Sequence, residues 1–173
     1  MIVVSDTSPL LHLARVDGLA LLRGLAAQVH LPRTVLTELF DGRTPAPALE
    51  RLRAVTWLRV DADAEASPTF VHLLDEVAPG SAAAITMAEL RGAALLLVDD
   101  PAARRVALGR GLRVLGTDEL LLEAKHTGRL DSAGRILRAP SRPAPLTEGP
   151  GPPEFASFQA SSRPPSRGWT RRG

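Results

Sequence analysis

Residues 92–101 read Gly-Ala-Ala-Leu-Leu-Leu-Val-Asp-Asp-Pro. Ala94 to Val98 form an unbroken apolar run of strand length with no polar alternation, the pattern of a strand covered on both faces of a parallel sheet. The run stops at Asp99-Asp100, and Pro101 suits the first turn of a helix, where a missing N–H costs nothing. Upstream, Pro79-Gly80-Ser81 opens a helix over Ala82 to Leu90 that Gly92 ends. Helix, buried strand and helix in succession predict a crossover unit rather than a hairpin.

The same alternation extends outward in both directions. Ile2-Val3-Val4-Ser5 reads as a buried strand, and Asp6-Thr7-Ser8-Pro9 as the turn and cap of a following helix. Leu10, Leu11, Leu13 and Ala14, then Leu19 to Ala27 beyond Asp17-Gly18, predict two short apolar helices. Val29-His30-Leu31 is a second strand, and Pro32 opens a helix carrying Val35, Leu36, Leu39 and Phe40 up to Asp41-Gly42. Further expectations are a helix over Leu49 to Val55, a strand over Trp57 to Val60, a helix over Val71 to Val77 and a strand over Leu112 to Leu115. Thr117-Asp118 caps a last helix through Lys125. Strands alternating with helices imply an α/β fold with a parallel sheet and helices on both faces. Sites in such folds lie beyond the carboxyl ends of the strands, and Asp6, Asp99/Asp100 and Asp118 all fall there.

Composition bounds the chemistry. At 173 residues and 45% hydrophobic side chains the chain supports one core, and with no cysteine it has no disulfide, thiolate nucleophile or thiolate metal ligand. The absence of cysteine, of a leader-like start and of any apolar run approaching a membrane span predicts a cytoplasmic protein with no membrane partner. The sequence pI near 10.3 suggests a nucleic-acid binder until the charges are located. Residues 1–138 carry 16 Lys and Arg against 17 Asp and Glu, while residues 139–173 carry 5 against 2 together with 8 of the 15 prolines. The basicity therefore belongs to the last 35 residues, a Pro/Arg/Ser-rich stretch whose composition predicts a disordered tail behind a domain spanning 1–138. A nearly neutral domain must hold any polyanion by local charge or by a bridging metal.

Carboxylates gathered at strand ends repel one another, and a cation that neutralises them explains why they persist. Oxygen donors of this kind suit Mg²⁺ or Mn²⁺, which activate water and stabilise the leaving oxygen of a phosphodiester. Each aspartate alone also reads as a helix cap or turn residue, and both roles coexist where a capping carboxylate leaves its second oxygen exposed.

Four segments in order, VVSDTSPLLHLARV (3–16), HLPRTVLTELF (30–40), PGSAAAITMAELRGAALLLVDDPAARRVALGRGLRVLGT (79–117) and LLLEAKHTGRL (120–130), resemble the PIN-like family. They are most similar to its prokaryotic branch that opens V-S-[DN]-T-S-P-L. The resemblance implies a three-layer α/β/α sandwich and a metal-dependent ribonuclease related to the VapC-type toxins, whose activity a small antitoxin protein blocks. By position, Asp6 matches the first metal-binding aspartate, Glu38 the acidic residue on the helix after the second strand, and Asp99 or Asp100 the aspartate closing the later strand. Where relatives read Gly-Glu at the start of the long helix, this chain has Gly80-Ser81, so a hydroxyl replaces a carboxylate. Glu76 or Asp118 is a candidate substitute.

Thr7 and Ser8 are candidates to steady Asp6 or meet a phosphate, although helix starts favour both anyway. Ser81 suits a helix cap, is a weak metal ligand and is a candidate substrate contact, and Arg104 and Arg105, one turn past the acidic pair, are candidates to clamp a phosphate bidentately. His12, His30, His72 and His126 are scattered without zinc spacing and read as ordinary histidines. Gly109-Arg110-Gly111 lacks the third glycine of a dinucleotide fingerprint. A phosphatase of the haloacid dehalogenase type would need a second aspartate two residues after Asp6, where Ser8 stands. Expected partners are RNA, an antitoxin and a second copy of the chain, with the Leu-rich early helices as the dimer contact.

Overall fold

A computed structural model describes residues 1–129. The elements are β1 (Val3–Ser5), α1 (Thr7–Arg15), β2 (Val29–Pro32), α2 (Arg33–Leu39), α3 (Ala46–Ala54), β3 (Leu58–Asp61), α4 (Pro68–Leu73), α5 (Pro79–Leu90), β4 (Leu95–Leu97), α6 (Pro101–Gly109), β5 (Val114–Leu115) and α7 (Thr117–His126). The five strands form one parallel sheet in the order β3-β2-β1-β4-β5. The architecture is the expected PIN-like α/β sandwich. The tail expected over 139–173 and the domain end at 138 lie outside the described residues.

Alternation along β1 divides the core. Val3 packs with α1, α3 and α7 on one face, while Val4 packs with α5 and α6 on the other, and both are fully buried. Helix α5 runs through this second cluster with every residue from Gly80 to Ala88 buried. Small side chains at Ala82, Ala83, Ala84 and Ala88 let it lie close to the sheet, which suits a helix apolar all round rather than one with a wet face.

Where local expectations missed, competing physics is visible. Leu19 to Ala27 holds a 3₁₀ segment, Leu19–Gly24, in place of a longer helix. Leu19 and Leu22, three apart, bury together as that tighter winding requires. The helix expected over Val71 to Val77 begins earlier and ends at Leu73, because the Ser67 side chain accepts from the Thr69 N–H and Pro68 occupies the first turn. Of the early leucines expected at a dimer contact, Leu10, Leu13, Leu19, Leu21 and Leu22 are buried in the chain's own core, and Leu11 and Leu25 are half-buried. No helix among the described residues is long and apolar enough to cross a membrane.

The strand order reverses between β1 and β4, the central pair, since β2 and β3 extend one way and β5 the other. The crevice beyond the carboxyl ends of those two strands is the switch point where such sheets bind ligands. Asp6 follows β1 directly and Asp99-Asp100 close β4, so topology alone brings the acidic residues to one edge.

Candidate active site

The N–H of Asp6 continues the β1–β4 ladder by donating to the Leu97 carbonyl at 2.9 Å. Its side chain then leaves the sheet edge, with the residue only 3% exposed. Oδ1 accepts from the Thr7 N–H at 2.6 Å and so caps α1, while Oδ2 accepts from the Ser81 hydroxyl at 2.5 Å. The oxygen that caps α1 and the oxygen that Ser81 holds are therefore different ones.

Glu38, on α2, reaches the same place from the other side. Its Oε2 accepts from the Thr7 hydroxyl at 2.5 Å and its Oε1 from the Gly80 N–H at 2.8 Å. Helix α5 has Ala78 at its cap and no capping side chain of its own. Glu38 thus supplies a distant carboxylate to that N-terminus, where the helix dipole favours negative charge. The approach requires glycine: a Cβ on residue 80 would collide with the Glu38 carboxylate. Thr7 bonds both acids, through its N–H to Asp6 and through its hydroxyl to Glu38.

The consecutive aspartates separate. Asp100 is exposed, caps α6 by accepting from the Ala103 N–H at 2.8 Å, and adds its charge to the field at Asp6. Asp99 turns to α1 and α7, accepting from the Thr117 N–H at 2.6 Å, the Thr117 hydroxyl at 2.7 Å and His12 Nδ1 at 2.8 Å. An open cleft of about 310 Å³, lined by His12, Asp99, Arg104 and Thr117 to Glu119, lies on that side.

Burial is the main cause that pushes the Asp6 carboxyl above its ordinary value of 3.8, and the like charges of Glu38 and Asp100 push the same way. The hydrogen bonds from Ser81 and Thr7 oppose the shift without cancelling it. Because the folded chain holds this proton more tightly than the unfolded one, Asp6 stabilises most below pH 3.8. That contribution is lost as pH rises through the raised folded value. Denaturant titrations of metal-free protein should show it as a loss of stability that Asp6→Asn removes. Identical pH slopes in wild type and variant would show that Asp6 carries no such strain.

A profile of the PIN domain family matches residues 2–140. The chain belongs to the PIN domain family. A solved structure that it resembles is a PilT N-terminus domain protein from the hyperthermophilic archaeon Sulfolobus solfataricus. That likeness has a TM-score of 0.50 at 17% identity and covers 72% of this chain and 93% of that one, a similarity of fold. A comparison with curated proteins finds no match. As a PIN domain the chain is a nuclease-type domain, of a family that generally uses divalent metal ions and binds nucleic acid.

The residues of this PIN domain fit such an ion. No ion pair among the described residues reaches Asp6, Glu38 or Asp100; Glu38 acts through space on Arg43, but no cation is among the charges that act on the buried Asp6. The fit is looser than the four-carboxylate convergence expected from sequence: among the described residues no three acidic or imidazole groups already stand at ligand spacing. Mg²⁺ needs only one or two carboxylates because it keeps several waters and takes substrate oxygens.

Two expectations change. The Arg104 fork is not free for a phosphate, since it pairs with Glu119 at 2.7 and 3.0 Å, and that glutamate also accepts from the Gly116 N–H. Arg105 is exposed and has no ion pair among the described residues. Of the candidate substitutes for the carboxylate missing at Ser81, Asp118 lines the Asp99 cleft and the charge of Glu76 acts on Arg110; neither is among the charges that act on Asp6, which are Glu38 and Asp100. His12, read as an ordinary histidine, is a partner of Asp99 that sequence reasoning missed.

Proposed function

We propose that the chain is a Mg²⁺- or Mn²⁺-dependent endoribonuclease of the toxin type, acting in the cytoplasm and restrained by an antitoxin protein. The observation that carries this reading is Asp6: a buried carboxylate at the sheet's switch point, without a cationic partner and within the field of Glu38 and Asp100. Asp6, Glu38 and Asp100 would hold the ion, which supplies charge neutralisation for the scissile phosphate and an activated water. Thr7 and Gly80 fix the directions of the two inner carboxylates, as outer partners of metal ligands do. In this assignment Asp100 is a ligand and Asp99 is not. Asp100→Asn should weaken Mn²⁺ binding about tenfold or more, whereas Asp99→Asn should leave it within about threefold, calorimetry being the check. The reverse order would transfer the ligand role to Asp99.

The direct test is cleavage of single-stranded RNA by the full chain with Mg²⁺ or Mn²⁺ and with chelator, beside Asp6→Asn as control. Cutting that is independent of metal, or retained in the variant, would refute the reading. A second reading, a catalytically weakened domain that binds RNA or a protein partner, is favoured by Ser81. Its side chain is buried and donates to Asp6 where an acid would add a ligand. Ser81→Glu raises the negative charge of the site and should tighten Mn²⁺ binding about tenfold. A large accompanying gain in cleavage favours the weakened domain, and unchanged cleavage favours a site already complete with Ser81.

A further inference from the structure

The cleft beside Asp99 has a polarity that the metal site does not account for. Three donors around it, the Arg104 guanidinium and two backbone N–H groups, are already taken by carboxylates of the chain itself. The Thr117 N–H donates to Asp99, the Gly116 N–H to Glu119, and the Arg104 guanidinium grips Glu119 with both arms. The start of α7 would otherwise attract an anion, but its first two N–H groups, those of Gly116 and Thr117, are already engaged. The residues lining the roughly 310 Å³ space are rich in acceptors, with three carboxylates, Asp99, Asp118 and Glu119, and the ring of His12. A phosphate is repelled there, and a neutral group bearing hydroxyl or amine donors is not.

His12 is held for such a contact. Asp99 is acceptor-only as a carboxylate, so the hydrogen bond at 2.8 Å requires the proton on His12 Nδ1 and leaves Nε2 of the neutral ring with a lone pair. The imidazole is 49% exposed, and its orientation is fixed through Asp99 by two bonds from Thr117. Because Asp99 and Asp100 are consecutive and serve opposite sides, the cleft adjoins the carboxylates that would hold the ion.

We propose that this cleft is a subsite for the sugar of a nucleotide next to the cleaved linkage, with His12 Nε2 accepting a hydrogen bond from its ribose 2′-hydroxyl. The proposal rests on the ribonuclease reading and deepens it. The 2′-hydroxyl is the donor that every RNA unit carries whatever its base and that DNA lacks. His12 then helps the domain prefer RNA, while Asp99 is a positioning residue acting through the imidazole.

The test measures binding of a short single-stranded RNA, the DNA of the same sequence and the 2′-O-methyl RNA to the full-length protein. Ca²⁺ replaces Mg²⁺ to hold the substrates uncut. Wild type should bind RNA about fivefold tighter than either analogue, the worth of one hydrogen bond. His12→Leu should lose that factor for RNA alone, with DNA affinity and melting temperature unchanged. Equal losses for RNA and DNA in His12→Leu, an undiminished RNA preference, or 2′-O-methyl RNA bound as tightly as RNA would each overturn the subsite. A wild type that binds neither polymer would instead overturn the nucleic-acid reading, and the subsite with it.

Discussion

Asp6→Asn is expected to abolish metal-dependent cleavage, lowering it by more than about 100-fold, while making the metal-free domain more stable by about 1 kcal/mol. The two effects share one cause. Asn keeps an oxygen for the Thr7 N–H and a polar partner for the Ser81 hydroxyl, so the cap of α1 and the packing at the sheet edge survive. The charge disappears, and with it the cost of burying an anion beside Glu38 and Asp100. A group placed for structure alone would destabilise the fold when altered, whereas one retained for function releases strain. Thermal melts in chelator and cleavage assays in Mn²⁺, run on the same preparations, check both parts. A variant that is less stable and equally active would show that Asp6 is a cap and nothing more.

The second large effect is on Gly80. Alanine ordinarily stabilises a helix by up to about 1 kcal/mol relative to glycine, and residue 80 lies in the first turn of α5. Here the sign should reverse. The added methyl would meet the Glu38 carboxylate, which must then leave the Gly80 N–H and the Thr7 hydroxyl. The side chain can swing away at little steric cost, but the two charge-assisted hydrogen bonds it gives up are worth about 1–3 kcal/mol, and a displaced Glu38 should weaken Mn²⁺ binding by about tenfold. Chemical denaturation and calorimetry on Gly80→Ala read the two losses separately. A stabilised variant with unchanged metal affinity would mean that the close approach of Glu38 has no consequence.

The strands and the acidic sheet edge were legible because both depend on short-range features. Ala94 to Val98 could only be a strand buried on both faces, and a carboxylate after such a strand has one edge to go to. Thr7, singled out as a possible support for Asp6, does bond it, whereas Ser81, read as the cap of the long helix, lies inside that helix and donates to Asp6 instead. The parting of Asp99 from Asp100 was not legible. It depends on Thr117 and His12, the second of them 87 positions away, and no periodicity encodes such a pairing. Arg104 misled for a related reason: its neighbours in sequence are acidic, but its partner Glu119 arrives from the next helix after a strand. Gly80 was read as part of a helix start, and only the fold shows that its missing side chain makes room for an acid 42 positions away. Close approaches of this sort belong to tertiary packing and leave no local trace.

The account turns on a divalent ion lodging among side chains supplied by three separate elements. A crystal of the full chain soaked in Mn²⁺, with anomalous scattering recorded at the manganese edge, addresses it directly. The expected map has a peak in contact with Asp6 and with Glu38 or Asp100, and none in Asp6→Asn. A wild-type map with no manganese beside Asp6, or with the ion bound only at Asp99 and Asp118, would contradict it.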